Sequence, residues 1–177
     1  MRPWALLGLL LIAQPAAADL LARDSEFGPA TMIRDPGRGL DWLHLSATVN
    51  RSTADIAKDL QPSGKLAGFR YASSDELCSL LEEQTGLPCT EATGSEDIPY
   101  DVAVKLILLF GPTEENERVK SLRGLFEPGG DLVWGLVLSA RTPEDDGPFS
   151  EADIQVVPLP RQAFPEEGHF LVRKAGN

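Results

Sequence analysis

Cysteine, histidine and positive charge are all scarce in this 177-residue chain, and each scarcity removes a class of function. There are two cysteines and two histidines. A structural zinc site typically needs four ligands, most of them in close pairs. Cys78 and Cys89 supply one pair only, and His44 and His169 lie far apart with no ligand spacing around them. No metal cofactor is expected from these residues. Lysine and arginine number 16 against 27 acidic residues, for a net charge of −11. Such a chain is repelled by phosphate backbones and by anionic lipid surfaces, so neither nucleic acid nor a membrane is an expected partner. No G-x-S-x-G elbow surrounds a serine, and Gly124 to Gly130 lacks the lysine of a phosphate-binding loop. No apolar run of spanning length follows the N-terminal one, so membrane insertion is not expected either.

What is present begins at the N-terminus. Met1-Arg2-Pro3 is a short basic start, and Trp4 to Ala13 is apolar except for Gly8. That run is about half the roughly 20 residues a bilayer-spanning helix needs. Ala16-Ala17-Ala18 then offers the small residues a signal peptidase requires, with Asp19 as the new N-terminus. The alternative is a buried N-terminal helix, but Pro15, three alanines and an acidic residue fit processing better. Residues 1–18 are therefore read as a signal peptide, with cleavage near Ala18. Position 19 is not cysteine, so no lipid anchor is expected, and the product is secreted or periplasmic. Residues 19–177 have the length of a single domain with its own core.

An exported chain meets oxidising conditions. Two cysteines as close as Cys78 and Cys89 then form a disulfide, with two free thiols as the alternative.

Local signals place several elements. Residues 19–30 read as a polar lead-in. Thr31 to Asp35 reads as a first strand stopped by Pro36-Gly37, and Leu40 to Leu45 as an extended segment with a buried Trp42. Ser52 reads as a helix cap with Asp55 three residues on, and Pro62-Ser63-Gly64 ends that helix. The cap explains Ser52 better than the glycosylation sequon Asn50-Arg51-Ser52. Ser73 and Glu76 form a capping-box pattern ahead of Leu77, Leu80 and Leu81, with Gly86 as the stop. Asp97 and Pro99 start a third helix over the nearly continuous apolar run Val102 to Phe110. Val119–Phe126 and Asp131–Arg141 flank Glu127-Pro128-Gly129-Gly130 as a hairpin. Residues 142–153 read as an acidic loop, Ile154–Leu159 as a short strand and Phe170–Arg173 as the last one. Helices before strands predict an α+β domain, with two or three helices on a mainly antiparallel sheet.

Three stretches resemble one family. Asp35-Pro36-Gly37-Arg38-Gly39-Leu40-Asp41-Trp42-Leu43 resembles the opening motif of a domain common in PEP-CTERM (exosortase-sorted) exported bacterial proteins. Gly68-Phe69-Arg70-Tyr71-Ala72-Ser73-Ser74-Asp75-Glu76-Leu77 resembles its central motif, and Gly168-His169-Phe170-Leu171-Val172-Arg173 its closing one. Order and spacing match over most of residues 19–177. Arg38 stands where those domains carry threonine, and Phe69 where they carry tryptophan. The Pro-Glu-Pro tail of that class does not occur in Lys174-Ala175-Gly176-Asn177, so sorting by that route is not expected. The domain is similar to Lcl-like C-terminal domains and, through them, to C-type-lectin-like folds. The resemblance implies a lectin-like scaffold with first and last strands paired.

Candidates for chemistry are few. Glu144-Asp145-Asp146-Gly147, with Glu151 and Asp153 beyond, offers oxygen ligands to Ca²⁺. Asp145, Asp146, Glu151 and Asp153 are the calcium candidates, although their spacing is not that of an EF-hand and a solvated acidic loop accounts for them equally. His44 has Asp41 and Ser46 as sequence neighbours, and His169 sits in the closing motif as a packing or edge residue. No catalytic residue is assigned. The expectation is a non-catalytic binding or structural module of the envelope, with carbohydrate or protein as its partner. The alternative is an extracytoplasmic enzyme on a diverged lectin-like scaffold.

Overall fold

A computed structural model describes residues 19–89, 98–142, 147–158 and 162–176. The elements run β1 (Leu21–Ser25), β2 (Gly28–Asp35), β3 (Leu40–Leu43), a 3-10 turn (Leu45–Ala47), α1 (Thr53–Asp59), β4 (Arg70–Tyr71) and α2 (Ser74–Thr85). They continue with α3 (Tyr100–Phe110), β5 (Glu114–Glu115), β6 (Val119–Gly129), β7 (Leu132–Arg141), β8 (Phe149–Pro158), β9 (Gly168–His169) and β10 (Leu171–Lys174). The class is α+β, as expected, but the strands form two sheets rather than one. The first has the order β1-β2-β3-β10-β4, and the second β5-β6-β7-β8. Both are antiparallel, and β9 joins the second sheet in parallel beside β6.

The first and last strands are not paired. β10 lies between β3 and β4, while β1 forms the far edge beside β2. The physical reason is burial. Ile33, Trp42 and Val172 sit opposite one another across β2, β3 and β10, and all three are fully buried. Seating β10 beside β3 puts Val172 directly opposite Trp42 and completes this buried row. This row faces the main core, together with Leu77, Leu80 and Leu81 of α2, Leu106 and Phe110 of α3, and Leu122, Leu136 and Leu138 of the second sheet. Met32, Leu43 and Leu171 project from the opposite face of the first sheet. They pack with Ile56 of α1, Leu66 and Phe69 in a smaller core. The first sheet is thus covered on both faces.

The helices form where local signals place them. Ser52 accepts a hydrogen bond from the Asp55 N–H and starts α1. Ser73 and Glu76 make a complete capping box at α2, and Gly86, at φ +73°, ends it. Only glycine adopts that left-handed conformation without cost. In α3, Ala103, Leu106, Ile107 and Phe110 are buried at helical spacing, and Pro99 occupies the cap. The Asp97 cap expected there lies outside the described residues. No described helix is long and apolar enough to cross a membrane.

The two-residue strands β4, β5 and β9 were not expected, and two longer strands also differ from expectation. β1 replaces a lead-in. Its residues are mostly exposed and show no alternation, so only its ladder to β2 defines it. β8 extends into the stretch read as an acidic loop. It pairs along the whole of β7, from Arg141↔Phe149 to Leu132↔Pro158. Ser150 and Ala152 are buried while Asp153 is exposed, a period-two pattern concealed by the acidic residues between them.

Cys78 and Cys89 are disulfide-bonded, with Cα atoms 5.2 Å apart. The bond ties α2 to its exit segment. Closing so short a loop stabilises the fold by about 2–3 kcal/mol through the unfolded chain. The Cys78→Ser/Cys89→Ser variant is expected to lose that amount in urea unfolding. A variant as stable as the parent would show that the bond constrains nothing.

Candidate functional site

Antiparallel order brings distant stretches together. β3 begins, β4 begins and β10 ends at the same end of the first sheet. β4 pairs with β10 only through Leu171↔Tyr71 and Val172↔Arg70, while β10 continues to Lys174 beside β3. The space next to that continuation is an open groove of about 480 Å³. Its walls are Arg38–Leu40, Gly68–Arg70 and Arg173–Ala175. All three stretches singled out in the sequence therefore border it. The sequence gives no direct signal for this meeting, because it depends on β10 inserting between β3 and β4.

The groove is lined by fixed charges. The Arg38 guanidinium bonds the buried Asp35 carboxylate at 3.0 Å, the Ser79 carbonyl at 2.5 Å and Glu83 at 2.7 Å. It thereby links the turn before β3 to α2. Arg70 meets both oxygens of Glu76, at 2.7 and 2.5 Å. That bond holds the Glu76 carboxyl below its ordinary range and raises the Arg70 guanidinium. Arg173 bonds Glu26 at 2.7 Å and lies 4.6 Å from the centroid of the Phe69 ring. The Arg173 bond likewise lowers Glu26. Asp41 pairs with Arg34 and lies 3.9 Å from Arg173. These pairs are partly solvated, so each adds little stability. They do hold donors and acceptors in place.

A second open groove of about 480 Å³ lies on the second sheet, among Arg123, Val137, Ser139, Arg141, Glu151 and Asp153. Two of the calcium candidates border it. Glu151 is engaged by Arg141 at 3.2 Å. Asp145 and Asp146 lie outside the described residues. Among the described residues, no three histidine, cysteine or acidic side chains are grouped as metal ligands.

The histidines have structural partners. His44 caps the 3-10 turn. Its Nδ1 accepts from the Ser46 N–H and lies 2.7 Å from the Ser46 hydroxyl, while Asp41 turns to Arg34. Burial lowers the His44 pKa. His169 is buried, and both ring nitrogens are used. Nε2 lies 2.9 Å from the Arg51 carbonyl, which only accepts, so Nε2 carries the proton. Nδ1 then accepts from the Tyr71 hydroxyl at 2.9 Å. The His169 backbone N–H donates to Thr48 Oγ1 at 2.9 Å. His169 thus joins β9 of the second sheet to β4 of the first and to the segment before α1. Burial lowers its pKa to about 4 and raises that of Tyr71. A neutral imidazole with both nitrogens committed in the interior is a fastener, not a general base.

An apolar void of about 10 Å³ between α2, α3 and the second sheet is too small for an organic ligand. Comparison of the chain with family models, with curated proteins and with solved structures returned no match.

Proposed function

We propose that the chain is an exported, non-catalytic binding module of the bacterial envelope on a C-type-lectin-like α+β scaffold. Its ligand, an envelope carbohydrate or protein, seats in the groove between Arg38–Leu40, Gly68–Arg70 and Arg173–Ala175. One observation carries this reading. Three stretches far apart in sequence converge on a single open groove, and their arginines are held there by fixed partners. A stability role alone gives no reason to place several long, solvated charges around an open hollow. Export rests on the N-terminal segment, and calcium has no part in the proposal. The positions of His44 and His169 favour binding over catalysis, since one caps a turn and the other bridges two sheets.

Co-sedimentation of residues 19–177 with isolated envelope fragments tests the proposal. The parent chain is expected in the pellet. The Arg70→Ser/Arg173→Ser variant is expected to be retained at least about tenfold less, with an unchanged circular dichroism spectrum. Arg123→Ser/Arg141→Ser, in the second groove, is expected to behave as the parent. The reverse pattern would move the site to the second sheet. A parent chain left in the supernatant would reject a binding role at the envelope.

A further inference from the structure

We infer that the groove between β3, β10 and β4 takes a neutral, hydroxyl-rich saccharide rather than an acidic one. This rests on the binding-module reading and specifies its ligand. The argument is charge balance at the groove wall. Four cations line it: Arg38, Arg70, Arg173 and Lys174. Three of them are already compensated, Arg38 by Asp35 and Glu83, Arg70 by Glu76, and Arg173 by Glu26. With Asp41, which Arg173 shares with Arg34, five carboxylates lie around the four cations. Lys174 alone has no ion-pair partner among the described residues.

An anionic ligand would find only Lys174 without a carboxylate partner, and would approach a chain of net charge −11. A cation would meet the guanidiniums. A neutral polyol meets neither obstacle. A guanidinium has five N–H donors, and the Arg70–Glu76 and Arg173–Glu26 pairs leave some of them unused. A paired carboxylate likewise retains lone pairs. The unused N–H groups of Arg70 and Arg173 therefore offer the groove fixed donors for the hydroxyl oxygens of a sugar. Because the pairs are formed before binding, little ordering is needed on association. Leu40, Gly39, Gly68 and Ala175 supply apolar wall for the C–H faces of a sugar ring. The groove volume suits a short oligosaccharide.

Titration calorimetry of residues 19–177 against two oligosaccharide panels tests the inference. The neutral panel holds cello-, malto-, xylo-, manno- and N-acetylchito-oligosaccharides, and the acidic panel holds oligogalacturonates of matched length. A member of the neutral panel is expected to bind, with a Kd that changes less than about twofold between 50 and 500 mM NaCl. Arg70→Met is expected to weaken that binding at least about tenfold, and Lys174→Met less than about threefold. Acidic oligosaccharides binding in preference, with steep salt dependence and loss in Lys174→Met, would overturn the ligand class but leave the groove as the site. Neutral binding unaffected by Arg70→Met would overturn the site itself. No binding by any member of the neutral panel would overturn the inference.

Discussion

Replacement of Gly111 by alanine is expected to destabilise the protein by about 3 kcal/mol, through two separable effects. Gly111 ends α3 at φ +96°, where an L-residue is strained by about 1–2 kcal/mol. A methyl group there would also overlap the ring of His44. That ring cannot simply swing away, because its Nδ1 caps the turn at Ser46. Forcing extra volume into such a place typically costs about 1–3 kcal/mol. A double-mutant cycle separates the terms. In a His44→Ala background, Gly111→Ala is expected to cost only the backbone part. Equal costs in both backgrounds, measured by urea unfolding, would show that the imidazole is not the obstacle.

His169 is expected to make the protein acid-sensitive. Its pKa is near 6.5 in the unfolded chain and about 4 in the fold. Between those values the unfolded state binds a proton that the folded state does not, so stability falls as pH falls. At about 1.4 kcal/mol per pKa unit, the loss from pH 7 to pH 4 is roughly 3 kcal/mol, with little further from this group below that. His44 shifts in the same direction and contributes with the same sign. Glu26 and Glu76 are lowered by their arginines, so their stabilisation is lost only as pH falls through their folded-state values. The measurement is the urea midpoint at pH 7, 5.5 and 4.5 for the parent and for His169→Phe. The variant is expected to start lower, because the Tyr71 hydroxyl and the Arg51 carbonyl lose their partner, at about 1–3 kcal/mol each. Its profile is expected to be flatter. Parallel profiles would show that the acid sensitivity arises elsewhere.

What could be read in the sequence was what is decided locally. The Ser73–Glu76 capping box, the Ser52 cap, the Gly86 stop and the Cys78–Cys89 pair each depend on residues within about a dozen positions of one another. β1 and the full length of β8 could not be read that way. The first is defined only by its partner β2, and the second hides its alternation under solvated carboxylates. The same distinction applies to the site. The stretches at 35–43, 68–77 and 168–173 stood out singly. Their convergence requires β10 to lie between β3 and β4, and the Glu26–Arg173 pair joins residues from opposite ends of the chain. Local pattern carries no information on either. The groove position of Lys174 lies one residue past the last of those stretches, and nothing in its neighbourhood marks it.

The central claim is that these stretches together form a ligand surface. It is tested most directly by amide chemical-shift mapping of isotope-labelled residues 19–177 during titration with a soluble oligosaccharide fraction of the cell envelope. The account expects saturable shifts at Gly39, Gly68, Arg70, Arg173, Lys174 and Ala175, with Val137, Ser139 and Asp153 unmoved. Shifts confined to the second groove, or none at any concentration reached, would contradict it.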